Sequence, residues 1–306
     1  LAEQGSLVPF TDVVAPWNLT SFVFKHVLSL HAIGDSGEWC DAPLFPEVFR
    51  KAGYHVTFIT NQFQSKAKEA VYDFSGGFFL NNPEMSQRQF DTRNTSLYQF
   101  DDGVLKAYDQ LKTKDEHNLI ILHLMGSHVE YRARYPQPAR RFFTPQNANR
   151  PELSVKQRYI LSDYDNSVRY NDSIMNAITQ RFIDKDAVVI YMPDHGEEIF
   201  DGSPFMYGRM HGANIDYRLA RNEMEIPFWI WGSPQYIENH PYGWQAIQQA
   251  KDRPMMTDVL PHLLLYLGGI STPAYRPEYN VIAPEYDTSR PRILKGTTDY
   301  NTLKKK

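Results

Sequence analysis

The segment Pro193-Asp194-His195-Gly196-Glu197-Glu198 sets a carboxylate beside an imidazole, directly after the apolar run Ala187-Val188-Val189-Ile190-Tyr191-Met192. Together the two side chains offer an oxygen and a nitrogen donor, half of a site for a divalent metal. An isolated Asp-His pair reads better as an acidic loop with a solvated histidine. Here the preceding run is rich in β-branched residues and predicts a buried strand, and open α/β sheets place their chemistry at the carboxyl ends of such strands. Gly196 allows a tight turn after the pair, so metal binding is the preferred reading.

Other polar groups fall at predicted strand ends. Asn61, Gln62 and Lys66 follow one strand. In Leu122-His123-Leu124-Met125-Gly126-Ser127-His128, His123 alternates within a strand and reads as a core histidine, whereas His128 lies just past Gly126 and is placed to reach a ligand. His211, in Arg209-Met210-His211-Gly212, lies on a loop that can fold back over the strand ends. Near the start, Thr20 opens an amphipathic pattern. A threonine there is ordinarily an N-cap, and the same position also suits a nucleophile facing a phosphoryl group, because helix amides and the dipole favour an anion.

These groups need a frame to hold them. Apolar runs predict strands over His55 to Thr60, Asn118 to Met125, Ala187 to Asp194 and Ile226 to Gly232. Apolar spacings of three and four predict helices over Thr20 to His31, Leu44 to Ala52, Val104 to Leu111, Val155 to Phe182 and Asp258 to Leu267. The alternation predicts an α/β fold: a mostly parallel sheet with helices on both faces. Phe74 to Asn94 and Tyr131 to Pro151 read as long loops of the kind that line binding sites. The stretch from Thr272 to Lys306, with the short run Asn280-Val281-Ile282, reads as a small C-terminal antiparallel edge sheet.

Composition narrows the class. In 306 residues, 42% hydrophobic and 14% aromatic, there is enough apolar mass for a large α/β core. The net charge of -4, from 32 basic and 36 acidic residues spread along the chain, argues against nucleic acid as a partner. The single cysteine, Cys40, excludes an internal disulfide and a cysteine-based zinc site, and reads as a small buried or half-buried side chain. No segment approaches the roughly 20 apolar residues of a membrane span. The beginning, Leu1-Ala2-Glu3-Gln4, has neither a methionine nor a signal-peptide pattern, so the expectation is a soluble piece of something longer.

As an ordered set, Phe10-Thr11-Asp12-Val13-Val14-Ala15-Pro16-Trp17-Asn18-Leu19-Thr20, Phe58-Ile59-Thr60-Asn61-Gln62, His123-Leu124-Met125-Gly126-Ser127-His128, Tyr164-Asp165-Asn166-Ser167, Pro193-Asp194-His195-Gly196-Glu197 and Arg209-Met210-His211-Gly212 span most of the chain. In this the chain resembles the alkaline-phosphatase/sulfatase superfamily and, within it, the phosphoethanolamine transferases that decorate lipopolysaccharide. The resemblance implies one catalytic domain over 1–306, lacking its first strand, with 272–306 as a C-terminal subdomain within it. It implies the periplasmic face of the inner membrane, reached through an N-terminal transmembrane region absent from this chain.

Carried over by position, Thr20 matches the nucleophile and a metal ligand, and Asp194 and His195 match two zinc ligands. His128 and His211 match histidines facing the transferred phosphoryl group or a second metal, and Lys66 matches a lysine contacting the phosphate. The implied cofactor is zinc, one or two ions. The implied reaction moves phosphoethanolamine from phosphatidylethanolamine to a lipid A or core-sugar acceptor of lipopolysaccharide through a covalent threonine intermediate. One ligand departs from the pattern: the family's glutamate lies on a strand upstream of the nucleophile, and Glu3 stands too close to Thr20 to serve. Sulfate-ester hydrolysis is disfavoured, because neither Thr20 nor Cys40 lies in the Cys/Ser-x-Pro-x-Arg context that formylglycine formation needs. A phosphodiesterase or phosphoglycerol transferase using the same Thr20, and a catalytically silent glycolipid-binding domain, stay open as alternatives.

Overall fold

The computed structural model describes residues 5–62, 80, 82–113, 115–142, 150–202, 206–210, 212 and 214–304. It opens with β1 (Leu7–Phe10), β2 (Val13–Val14) and α1 (Thr20–Leu28). Next come α2 (Phe45–Lys51), β3 (His55–Thr60), α3 (Pro83–Gln89), β4 (Thr92–Arg93), α4 (Asp102–Leu111) and β5 (Asn118–His123). The long α5 (Val155–Arg181) leads to β6 (Val188–Tyr191), β7 (Glu198–Ile199), β8 (Tyr207–Gly208), α6 (Tyr217–Glu223) and β9 (Phe228–Gly232). The last elements are α7 (Pro234–Asn239), α8 (Pro241–Ala250), β10 (Met255–Met256), α9 (Leu260–Leu267), β11 (Ile293–Leu294), β12 (Thr298–Asp299) and α10 (Tyr300–Leu303).

The α/β expectation holds, and the pairing is mixed. β3 runs parallel to β4 and β5, and β2 runs parallel to β10. β9 lies between β1 and β6 and is antiparallel to both. The antiparallel C-terminal pair is β11 with β12, not the run at 280–282, whose Val281 and Ile282 are buried in the main core instead.

Apolar burial positions the ends of these strands. Val8, Phe10, Phe228 and Ile230 of β1 and β9 pack with Val23 and Val27 of α1 and with Trp244 and Ile247 of α8. Val56 and Phe58 of β3 pack with Phe45 and Phe49 of α2 in a second cluster. Helix α5 starts where a capping box closes it, with Ser154 and Gln157 bonding each other's backbone amides. Helix α9 starts later than its apolar pattern predicts, because Pro261 sits in its first turn and residues 257–259 form a 3-10 turn.

Of the two expected loops, 131–151 carries short 3-10 turns at Tyr131–Arg134 and Gln137–Ala139, and 74–94 contains α3 and β4 among its described residues. Cys40 corrects its expectation: it lies in the surface 3-10 turn Trp39–Asp41 and is exposed. Among the described residues no helix is long and apolar enough to cross a membrane.

Candidate active site

Thr20 is the first residue of α1, yet it does not cap the helix. Leu19 holds the N-cap position with extended backbone, and its side chain makes no capping bond. The Thr20 hydroxyl instead donates to Asp194 Oδ2 at 2.5 Å, across 174 residues of sequence. The same carboxylate oxygen lies 3.4 Å from His195 Nε2. One hydroxyl, one carboxylate and one imidazole therefore meet beside the amino end of α1, where free amides favour negative charge.

The histidine is set up as a donor to a cation. Its Nδ1 faces the Gly196 carbonyl at 2.7 Å, so the hydrogen sits on Nδ1 and the Nε2 lone pair points into the centre. Burial pushes the His195 pKa down, against the pull of Asp194. Burial also opposes charge on Asp194, but His195 and the Thr20 hydroxyl outweigh it, and the carboxyl ionises below its ordinary range. A neutral imidazole beside an ionised carboxylate is the protonation pattern that metal ligation requires.

A positive group already stands there. Arg209 Nη1 donates to His195 Nε2 at 2.6 Å and to the Asn18 carbonyl at 3.2 Å. This guanidinium marks the place as one that accepts a cation, and the oxygen and nitrogen donors of Thr20, Asp194 and His195 suit zinc. Among the described residues no three His, Cys, Asp or Glu side chains are grouped to hold an ion.

His128 belongs to this neighbourhood. Gly126, at φ +58°, turns the chain after β5, and Asp101 fixes the turn by accepting from the Met125 and Gly126 amides, each at 2.9 Å. His128 lies within the electrostatic reach of Asp194 and Arg209, and burial pushes its pKa down. His123 matches its reading as a core side chain: its ring packs on Phe24 and Phe58, its Nδ1 meets Thr60 Oγ1 at 3.0 Å, and burial pushes its pKa down to about 4. Lys66 and His211 lie outside the described residues.

Gly196 is needed for a reason the turn argument does not supply. A Cβ there would lie 2.3 Å from the Asn222 carbonyl oxygen, so only glycine lets the Asp194-His195 turn pack against the end of α6. Glu197 bonds Tyr131 Oη at 3.1 Å and faces Arg209 at 4.0 Å rather than His195. Burial pushes its carboxyl up to about 7 against the pull of Arg209. Two surface hollows, one lined by Asp12, Arg221 and Lys304 and the other by Arg50, Arg88 and Asp91, contain none of these residues. Converging donor atoms identify the candidate site.

Residues 10–270 match the family model described as Sulfatase. The chain belongs to the sulfatase family. This sulfatase-family chain is 28% identical over 306 aligned residues to phosphoethanolamine transferase EptC of Escherichia coli O18:K1:H7 (strain RS218 / NMEC), covering 97% of this chain and 51% of that protein. It is 35% identical over 156 residues to the Kdo(2)-lipid A phosphoethanolamine 7''-transferase of Escherichia coli (strain K12), covering 51% of this chain and 26% of that one. The crystal structure of the C-terminal periplasmic domain of EcEptC from Escherichia coli, in complex with Zn, superposes with a TM-score of 0.81 at 26% identity, covering 97% of this chain and 83% of that chain. The sulfatase-family chain spans about half the length of its EptC relative. The resemblance read from the ordered motifs is borne out.

Arg209, Asn18, Asp101 and Glu223 were not singled out from the sequence. Arg209 stood two residues before His211, and Asn18 two residues before Thr20, each within a quoted motif. For Asp101 and Glu223 the sequence carried no local signal.

Proposed function

We propose that this chain is the catalytic part of a phosphoethanolamine transferase that takes its group from phosphatidylethanolamine and passes it to a lipopolysaccharide acceptor. The observation that carries the reading is the meeting of Thr20 Oγ1 and His195 Nε2 at one oxygen of Asp194, at 2.5 and 3.4 Å. The transferase names of the relatives support the reaction class, and the Zn complex of the EcEptC domain supports zinc. Thr20, Asp194 and His195 would hold the ion, which supplies Lewis acidity that eases ionisation of the hydroxyl.

The residues divide the work. Asp194 accepts the Thr20 hydroxyl hydrogen and so aims an oxygen lone pair at phosphorus. The Thr20 oxygen gives up its proton to Asp194 and forms the new bond to phosphorus, the bond from phosphorus to the diacylglycerol oxygen breaks, and that oxygen takes up a proton. Because burial lowers the His128 pKa, this side chain serves as a neutral hydrogen-bond donor to the phosphoryl oxygens, which leaves the proton to His211. Lys66 adds positive charge to the same oxygens. An acceptor hydroxyl or phosphate oxygen then displaces Thr20 in the reverse sense. We assign the protein to the periplasmic face of the inner membrane, and residues 1–306 to one catalytic unit with 272–306 as its subdomain.

Intact-mass measurement after incubation with phosphatidylethanolamine tests the reading. The wild type should gain one phosphoethanolamine group on Thr20, and Thr20→Ala should gain none. An adduct that persists in Thr20→Ala overturns the assignment. Phosphatidylglycerol as the donor separates this activity from a phosphoglycerol transferase, since only the latter would charge Thr20 from it.

A further inference from the structure

We propose that Glu223 is the positioning residue of this centre, a single buried group that ties together the three segments carrying the reacting side chains. The inference rests on the phosphotransfer reading above. Glu223 Oε2 accepts from Asn18 Nδ2 at 2.5 Å, on the loop leading into Thr20. Its Oε1 accepts from the Met210 amide at 2.8 Å, on the loop of Arg209. Its backbone carbonyl accepts from the Gly196 amide at 2.8 Å, directly after Asp194 and His195.

The arrangement closes on itself. Asn18 Nδ2 also donates to the Met210 carbonyl at 2.7 Å, so the amide orientation of Asn18 is fixed by two acceptors. The Asn18 carbonyl in turn receives Arg209 Nη1, the atom that also reaches His195. Glu223 is 1% exposed and Asn18 is fully buried, which leaves no water to substitute for these bonds. The hub is rigid: Asp216 caps α6 at the Leu219 amide, and Leu219 and Ala220 pack against Val14, Met256 and Leu294. Lys295 Nζ braces the same loop at the Gly212 carbonyl, 3.0 Å away.

Thr20 and the Asp194-His195 pair are far apart in sequence, and Glu223 touches both segments from one helix end, the first through its carboxylate and the second through its backbone carbonyl. A displacement of about 1 Å at a reacting group costs about 10²-fold in rate, so this clasp controls the reaction without touching substrate.

The test compares Glu223→Ala with Glu223→Gln in the purified protein, reading the rate of adduct formation and the zinc affinity by calorimetry. Glu223→Ala should slow adduct formation by about 10²-fold and weaken zinc by about tenfold. Glu223→Gln should recover part of both, because its single carbonyl oxygen can still receive either the Met210 amide or Asn18 Nδ2, whereas Ala receives neither. Should Glu223→Ala fail to fold, Asn18→Ala removes one arm only and should slow adduct formation while the KM for phosphatidylethanolamine stays put. Three results overturn the proposal: a Glu223→Ala protein with only a lowered unfolding midpoint, a Gln variant as impaired as the Ala variant, or an Asn18→Ala variant with an unchanged rate. The zinc titration reads Glu223 independently, so a wild type that forms no adduct defeats the phosphotransfer reading and leaves the clasp still decided.

Discussion

Two regions of this molecule engage carboxylates, and they treat them in opposite ways. In the C-terminal region three arginines each grip one aspartate from an earlier part of the chain: Arg276 with Asp35, Arg290 with Asp258 and Arg292 with Asp12. Each pair is a two-pronged fork, the geometry in which a guanidinium best satisfies a carboxylate. At the reaction centre Asp194 accepts one short bond, from Thr20, and faces a neutral imidazole. The nearby arginine, Arg209, spends its Nη1 on His195 and the Asn18 carbonyl. Closed pairs hold the fold together, whereas the proposed centre engages its carboxylate with a hydroxyl and a neutral imidazole and leaves it no guanidinium fork.

The contrast predicts a double dissociation between two aspartates. Asp194→Asn should cut adduct formation by about 10³-fold or more, comparable to losing a principal catalytic group. Its unfolding free energy should change by less than about 1 kcal/mol, since an amide oxygen can still accept the Thr20 hydroxyl. Asp258 offers the reverse case. Its side chain is fully buried, and it holds Arg290 at 2.5 and 3.1 Å together with the Ile33 amide at 2.9 Å. Asp258→Ala leaves a buried guanidinium without its carboxylate and should cost about 3–5 kcal/mol in urea unfolding. The adduct rate per folded molecule should stay near wild type. A common loss of both properties in either variant would break the distinction.

A smaller effect sharpens the reading of the Thr20 hydroxyl. Thr20→Ser keeps the oxygen but loses the methyl group that stiffens χ1. Retained adduct formation at a rate reduced by about 10-fold is expected, since general positioning survives and only rotamer freedom grows. Intact mass over a time course measures it. Complete loss would mean that the hydroxyl at this position is not the attacking group.

How much of this was legible in the sequence depends on the range of the interaction involved. β3 runs over His55–Thr60, as its apolar run dictates, and α5 covers Val155–Arg181, one residue short of its periodic pattern. Local periodicity and a capping signature suffice for such elements. β1 was missed because four residues containing Pro9 carry too short a pattern, and β1 exists only through its pairing with β9. The same division runs through the site. Asp194 and His195 announce themselves by adjacency after a strand, but the Asn18–Glu223 bond joins residues 205 apart and leaves no trace in local spacing. Asp101, which fixes the turn before His128, is equally silent, because an aspartate that binds backbone amides looks like any surface acid until the chain is folded.

The most exposed of the three arginine grips yields the smallest prediction, and it turns on sign. Burial works to raise the Asp35 pKa, but the bonds from Arg276, the Ala32 amide and Tyr279 outweigh it, so the group is lowered from 3.8 to about 2. A carboxyl depressed in the folded state stabilises the protein fully above its unfolded pKa, and the contribution fades as pH falls through the folded value. The relevant window therefore runs from about pH 4 down to about pH 2. Both partners are partly exposed, at 30% for Arg276 and 21% for Asp35, so solvent screening reduces the linkage to about 1 kcal/mol. Urea unfolding of wild type and Asp35→Asn should differ by about that much at pH 5 and converge toward pH 2. A difference that stays constant across the window would mean that Asp35 acts by shape and neutral hydrogen bonding, and that the C-terminal grips are not the electrostatic counterpart of the open centre at Asp194.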